Sequence, residues 1–178
     1  MAKQFDQLFD KHIEFIEKQK IYFVATAATQ GRINLSPKGL DSLRVIDSNT
    51  IHWLNLTGSG NETAAHLLED SRMTIMFCSF DAAPLILRLY GRAEVVHKHD
   101  EQWQGLYQRF EGNIGARQIF KLNVDLVQTS CGYGVPNYSF DSDKQTMFTW
   151  AKNKGEDGVE EYWQQKNTLS IDGKPTGI

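Results

Sequence analysis

Apolar and polar positions alternate in short segments through the first 130 residues, separated by turns that carry glycine, proline, asparagine or aspartate. Phe5, Leu8, Phe9, Ile13 and Ile16 recur at helical spacing with charges between them, which predicts an N-terminal helix. Ile21–Ala28 is rich in aromatic and β-branched residues and predicts a buried strand. Thr29-Gln30-Gly31 is a tight turn, so Arg32–Ser36 is expected to fold back as a hairpin partner, stopped by Pro37 and Gly39. Leu43–Ile46 and Thr50–Leu56, joined by Asp47-Ser48-Asn49, predict a second hairpin. Met73–Phe80 and Leu85–Val96, joined by Asp81-Ala82-Ala83-Pro84, predict a third, and Gln118–Val127 a last strand. Helices are expected over Glu62–Leu68, over His99–Glu111 with Trp103, Leu106, Tyr107 and Phe110 on one face, and over Asp157–Gln165. The tail Asn167–Ile178 ends in turn residues.

Strands linked by turns rather than by crossover helices argue for a mainly β, antiparallel barrel with peripheral helices and against a parallel α/β sheet. The turn Thr57–Asn61 is the chemically pointed feature. A strand leading through Thr-Gly-Ser-Gly-Asn into a helix gathers free backbone N–H groups and the positive end of a helix dipole, a combination that suits a phosphate. Gly58-Ser59-Gly60 lacks the third glycine of a dinucleotide fingerprint.

Composition narrows the possibilities. At 178 residues, 40% hydrophobic and 23% charged, the chain reads as one globular domain. A net charge of −3 argues against a nucleic-acid surface, and no apolar run has the length of a membrane span. The N-terminus lacks the apolar core of an export signal, and Cys78 and Cys131 form no CxxC pair, so a reducing cytoplasm is the expected setting. His52, His66, His97 and His99 show no metal-ligand spacing, and no GxSxG or paired-carboxylate arrangement stands out.

The order of elements, the NLSPKG segment at 34–39, the WLNLTGSGNETAAHL segment at 53–67 and the LRLYGRAEVV strand at 87–96 resemble the pyridoxamine 5′-phosphate oxidase-like, FMN-binding split-barrel family. The resemblance covers roughly residues 10–130. It implies a six-stranded antiparallel split barrel over 21–130, preceded by the helix of 1–20 and followed by a C-terminal extension, 131–178, at the interface of a homodimer that holds FMN. By this resemblance Ser36, Pro37, Lys38 and Gly39 meet the flavin ring, and Asn55 and Leu56 run along its edge. Ser59, Gly60, Asn61 and Thr63 hold the phosphate, Arg88 lies on the strand crossing beneath the flavin, and Tyr133 approaches the flavin of the partner subunit. Chemically, a lysine aimed at a reduced flavin steadies its negative charge; the bland alternative is that Pro37-Lys38-Gly39 is a solvated turn, and that Ser59 or Asn61 only caps a helix. The sequence departs from the family at Gly60-Asn61-Glu62, where a basic residue is common, leaving Lys38, Arg32, Arg44 or Arg72 to supply the charge. Glu62 would repel a phosphate if turned inward. Trp150 and Trp163 are expected at the dimer interface or over the site.

The expectation is therefore an FMN-dependent oxidoreductase, homodimeric, acting on a small molecule, with no metal, nucleic acid or membrane partner. Pyridoxamine phosphate is not assigned as substrate, because that activity in the family depends on a basic, aromatic C-terminal patch and the tail NTLSIDGKPTGI holds only Lys174. A non-catalytic flavin-binding or storage protein, an apo dimer scaffold, and a relative binding F420 or haem are the rival readings.

Overall fold

In a computed structural model, residues 2–110, 112 and 114–178 are described. The elements run β1 (Lys3–Phe5), α1 (Asp10–Lys18), β2 (Tyr22–Thr26), β3 (Asn34–Lys38), β4 (Leu43–Val45), β5 (Thr50–Leu56), α2 (Glu62–Leu67), β6 (Arg72–Cys78), β7 (Ile86–His97), α3 (Trp103–Tyr107), β8 (Ala116–Ser130) and α4 (Thr146–Lys166). One antiparallel sheet follows the order β3-β2-β6-β7-β8-β5-β4, with β1 added to β8. Six strands of five or more residues carry it, and β1 and β4 are three-residue additions. This is the mainly antiparallel half-barrel that the turn-linked pattern predicts.

Alternation fills the interior. Tyr22 and Val24 from β2, Met73, Ile75 and Phe77 from β6, and Leu87 and Leu89 from β7 all point inward and are buried. Ile51 and Trp53 from β5 meet Phe120, Leu122 and Val124 from β8, with the Trp53 and Phe120 rings stacked at 4.7 Å. Each fully buried side chain of this size is worth about 1.5–3 kcal/mol. The register of the long β7–β8 ladder shifts between Tyr90 and Gly91. A Cβ on Gly91 would lie 1.9 Å from the Asn123 carbonyl oxygen, so only glycine permits that approach.

The two ends of the sheet, β3 and β4, are joined by Gly39–Ser42. Leu40 and Asp41 there take positive φ angles of 61° and 52°. The Ser42 hydroxyl donates to the Gly39 carbonyl at 2.5 Å and meets the Tyr22 hydroxyl at 2.8 Å, which pins the link against β2. The Arg44 guanidinium grips the Asp41 carboxylate from the next turn.

Several boundaries differ from the sequence expectation. Phe5 belongs to β1 rather than to the first helix, because Lys3–Phe5 pairs with Val127–Thr129. β3 continues through Pro37 to Lys38 instead of stopping there. Among the described residues its only ladder partner is β2, so the missing proline N–H faces no second strand there. The expected helix over His99–Glu111 shrinks to Trp103–Tyr107, and Glu111 lies outside the described residues. α4 is much longer than Asp157–Gln165 and is kinked at Gly155, whose φ is +71°. Trp163 packs within its own chain, where its indole N–H donates to the Thr57 hydroxyl at 2.9 Å and so anchors α4 to the turn after β5. Trp150 packs edge-on against Tyr162 of the same helix.

Candidate functional site

β5 ends at Leu56, and the chain turns through Gly58-Ser59-Gly60 into α2. β3 lies alongside as an edge strand, and β8 passes behind the turn through its pairing with β5. The space between them is a cavity of about 720 Å³. Ser36, Lys38, Asn55, Ser59, Gly60, Asn61 and Thr63 all line it, so strand end, strand edge and turn converge as the sequence resemblance implies. Pro37, Gly39 and Leu56 do not face this space; Gly39 and Leu56 line two neighbouring cavities. Arg88 and Tyr133 are not brought to it at all. Arg88 donates to the Ser130 hydroxyl at 3.1 Å, and Tyr133 stands exposed beside Cys131 on another cavity.

The charge at this site comes from a residue the sequence does not single out. Arg117, near the start of β8, lines the cavity and is only 4% exposed. Its guanidinium donates to the Asn167 side-chain oxygen at 2.5 Å and to the Gly60 carbonyl at 3.1 Å, and its Nε has no partner among the described residues. No carboxylate is paired with it among the described residues. Burial draws its pKa down to about 10, which still leaves it charged near neutrality. Lys38 adds a second cation, with its ammonium 4.9 Å from the centre of the Trp53 ring. Burial, helped by repulsion from Arg117, draws the Lys38 pKa down to about 8. Of the other proposed sources, Arg32 lines the cavity but is paired with Asp172. Arg72 is tied to Asp70 and Arg44 to Asp41, both away from it.

Glu62 also lines the cavity, but its carboxylate is engaged by the chain's own backbone. Both of its carboxylate oxygens accept the Ile171 backbone N–H, each at 3.1 Å. Asn61 takes the N-cap position of α2 without a side-chain capping bond, and its buried Nδ2 has no partner among the described residues. Its Oδ1 lies 3.5 Å from Asn55 Nδ2, which donates to Gln118 at 3.0 Å, so a row of buried amides runs behind the turn. α2 has six residues, too few for its dipole to carry the site, and the side-chain cations replace it as the source of attraction. Part of the rim is apolar: Ile33, Leu35, Leu169 and Ile171 line the cavity yet remain exposed. A cationic floor, spare amide donors and an apolar rim make a donor set for an anion attached to an apolar body.

A family model described as pyridoxamine 5′-phosphate oxidase matches residues 8–131. The chain belongs to the pyridoxamine 5′-phosphate oxidase family. This family member is 37% identical to ustO, a pyridoxamine 5′-phosphate oxidase family protein of Aspergillus flavus, over 96% of its own length and 76% of the other's. Solved structures share the fold at lower identity. HupZ of Group A Streptococcus superposes with a TM-score of 0.56 at 19% identity, covering 68% of this chain and 98% of that one. The FAD binding protein of Mycobacterium smegmatis gives 0.50 at 12% identity, over 71% and 97%. The model match ends at residue 131, so α4 and the tail, which contribute Lys166, Leu169, Ser170 and Ile171 to the cavity, lie beyond it. Among the described residues no cluster of His, Cys, Asp and Glu fits a metal, and no helix is long and apolar enough to cross a membrane.

The depressed Lys38 pKa gives a signed prediction. The site holds two charges below pH 8 and loses one as pH rises through about 8. Phosphate monoesters are already dianions there, so their affinity is expected to fall between pH 7 and 9.5, and Lys38→Met is expected to flatten that decline. Stability of the ligand-free protein moves the other way. The folded pKa lies below the ordinary lysine value of 10.5, so the unfolded chain binds more protons between about 8 and 10.5, and this group's contribution improves as pH rises through that window. Calorimetric titration and thermal midpoints across one pH series read both trends.

Proposed function

We propose that this protein binds FMN in the Lys38–Arg117 cavity and works as a flavin-dependent oxidoreductase. The observation that carries the reading is the buried guanidinium of Arg117, held without a carboxylate beside the Ser59–Asn61 turn. A buried charge without a counter-ion is costly, and a phosphate is the group that satisfies it through charge-assisted hydrogen bonds. Arg117, the Ser59 and Thr63 hydroxyls and the spare Asn61 amide would hold the phosphate. The exposed Ile33 and Leu35 side chains beside Lys38 at the β3 edge would supply apolar contact for a flat ring. Lys38 would place positive charge beside the ring and so favour its reduced, anionic form. Flavin, when bound, supplies hydride transfer; this chain's part is to bind it, to set its charge environment and to exclude water.

The same reading takes the working form to be a homodimer. Tyr133, Tyr138 and Phe140 form an exposed aromatic stretch after β8, and neither Tyr133 nor Arg88 reaches the cavity of its own chain. A second copy would cover that stretch and bring such residues to the flavin. Purified protein mixed with FMN is expected to retain an equimolar amount through gel filtration, with the two visible and near-ultraviolet flavin bands, in a particle of about twice 20.3 kDa. A colourless preparation that gives no heat on FMN titration rules the flavin reading out, and a monomeric coloured particle rules out the dimer alone. Oxidation of reduced nicotinamide by the coloured protein separates an oxidoreductase from a flavin store.

A further inference from the structure

The C-terminal segment following α4 folds into a hairpin across the cationic end of the cavity. Leu169 and Pro175 bridge its two arms. Inside it the Ser170 hydroxyl oxygen accepts the Asp172 and Lys174 backbone N–H groups at 3.3 and 3.1 Å, and the Thr176 hydroxyl donates to the Asn167 carbonyl at 2.6 Å. Asn167, Ser170 and Thr176 are all buried. Three ties fasten the hairpin to the body. Asp172 pairs with Arg32 and accepts its backbone N–H at 2.7 Å, Lys174 pairs with Glu69 at 2.5 Å, and the Ile171 N–H binds Glu62. Gly31 leaves room for the first tie, since a Cβ there would meet an Asp172 carboxylate oxygen at 2.5 Å.

The hairpin also reaches the cation itself. The Asn167 side-chain oxygen accepts from Arg117, and its amide donates to the Gly58 and Ser59 carbonyls at 3.2 and 3.4 Å. One side of the guanidinium is thus occupied by the chain's own C-terminus, and the turn is braced from behind. Resting on the flavin reading above, we infer that this hairpin is the specificity wall of the site: it accepts a ligand that ends in a phosphate monoester and rejects one whose phosphate continues into a second nucleotide. A terminal phosphate needs only the cavity side of Arg117. A pyrophosphate that continued past Arg117 toward the hairpin would meet Asn167 and Ile171, and would have to loosen the ties of Asp172, Lys174 and the Ile171 N–H. Each tie is modest because it lies near the surface, but the three act on one short segment. Selectivity then comes from a barrier to the wrong ligand rather than from extra contact with the right one.

The test compares FMN and FAD by fluorescence quenching and calorimetry, on the full chain and on the doubly unlatched variant Asp172→Ala/Lys174→Ala. The full chain is expected to bind FMN at least about a hundredfold more tightly than FAD. Unlatching is expected to narrow that ratio by about tenfold or more, chiefly through gained FAD affinity. Equal affinity of the full chain for the two flavins overturns the inference while leaving the flavin reading intact, and so does an unchanged ratio in the unlatched variant. Failure of the full chain to bind either flavin defeats the flavin reading itself. Lys174→Ala alone, which leaves the Arg32–Asp172 pair in place, is the fallback if the double variant loses its folded circular dichroism; a ratio it fails to move counts against the wall. Hydrogen exchange adds a readout independent of affinity. FMN is expected to slow exchange at 167–176 more than at α1, and equal effects at both contradict the assignment.

Discussion

On the FMN reading, replacing Arg117 with methionine is expected to weaken FMN binding by about 2–4 kcal/mol, roughly a 30- to 1,000-fold loss, while changing the stability of the empty protein by no more than about 2 kcal/mol. On the proposed assignment, the loss follows from taking away the charge-assisted bonds that Arg117 would make to the phosphate. The small effect on the fold follows from opposed contributions. The wild-type guanidinium is buried without a carboxylate, so an apolar side chain of similar length relieves a desolvation cost. Against this, the Gly60 carbonyl and the Asn167 side-chain oxygen lose their donor, which costs about 1–3 kcal/mol. The two offset to within about 2 kcal/mol. Calorimetric titration with FMN and thermal melts of the empty protein measure the two arms separately. Full-strength FMN binding by Arg117→Met would remove the foundation of the phosphate assignment. A collapse of stability without ligand would mean that Arg117 is there to hold the turn and the tail together.

Trp53→Ala is expected to have the largest effect on stability, about 3–5 kcal/mol, or a fall in thermal midpoint of roughly 6–20 °C for a chain of this size. Trp53 is almost fully buried, lies opposite Phe120 in the β5–β8 ladder and stacks on it. Removing it opens a cavity in the middle of the barrel. It also removes the aromatic face under the Lys38 ammonium, so the site should lose part of its grip on anions along with its stability. Trp53→Phe keeps a ring and is expected to recover most of both. Denaturant melts with and without FMN distinguish the effects, and a loss below about 1 kcal/mol for the alanine variant would contradict this account of the core.

The hairpins were legible because their information is local. Thr29-Gln30-Gly31, Asp47-Ser48-Asn49 and Asp81–Pro84 each separate two alternating runs, and each joins neighbouring antiparallel strands in the sheet. The first helix was read too early because Phe5 has a helical spacing to Leu8 and Phe9 but is captured by the far end of β8. Such long-range pairing overrides local periodicity. The Thr57–Asn61 turn was also legible, since its glycines and the periodic run after it sit side by side in the chain.

By itself, then, the order of residues determined a turn-linked antiparallel barrel, its family, and the strand end and turn that line one cavity. Only the tertiary structure decided where the charge resides. Arg117 stands 57 residues from the Gly60 carbonyl it binds and 50 from the Asn167 that steadies it. The one local sign was a basic residue at the mouth of a strand, between Ala116 and the apolar pair Ile119-Phe120. The tail likewise reads as polar turns, yet its Asp172, Lys174 and Ile171 find Arg32, Glu69 and Glu62 more than 100 residues away. Local propensity registers neighbours a few positions apart, whereas burial and charge pairing answer to distance in space, which the strand order of the sheet sets.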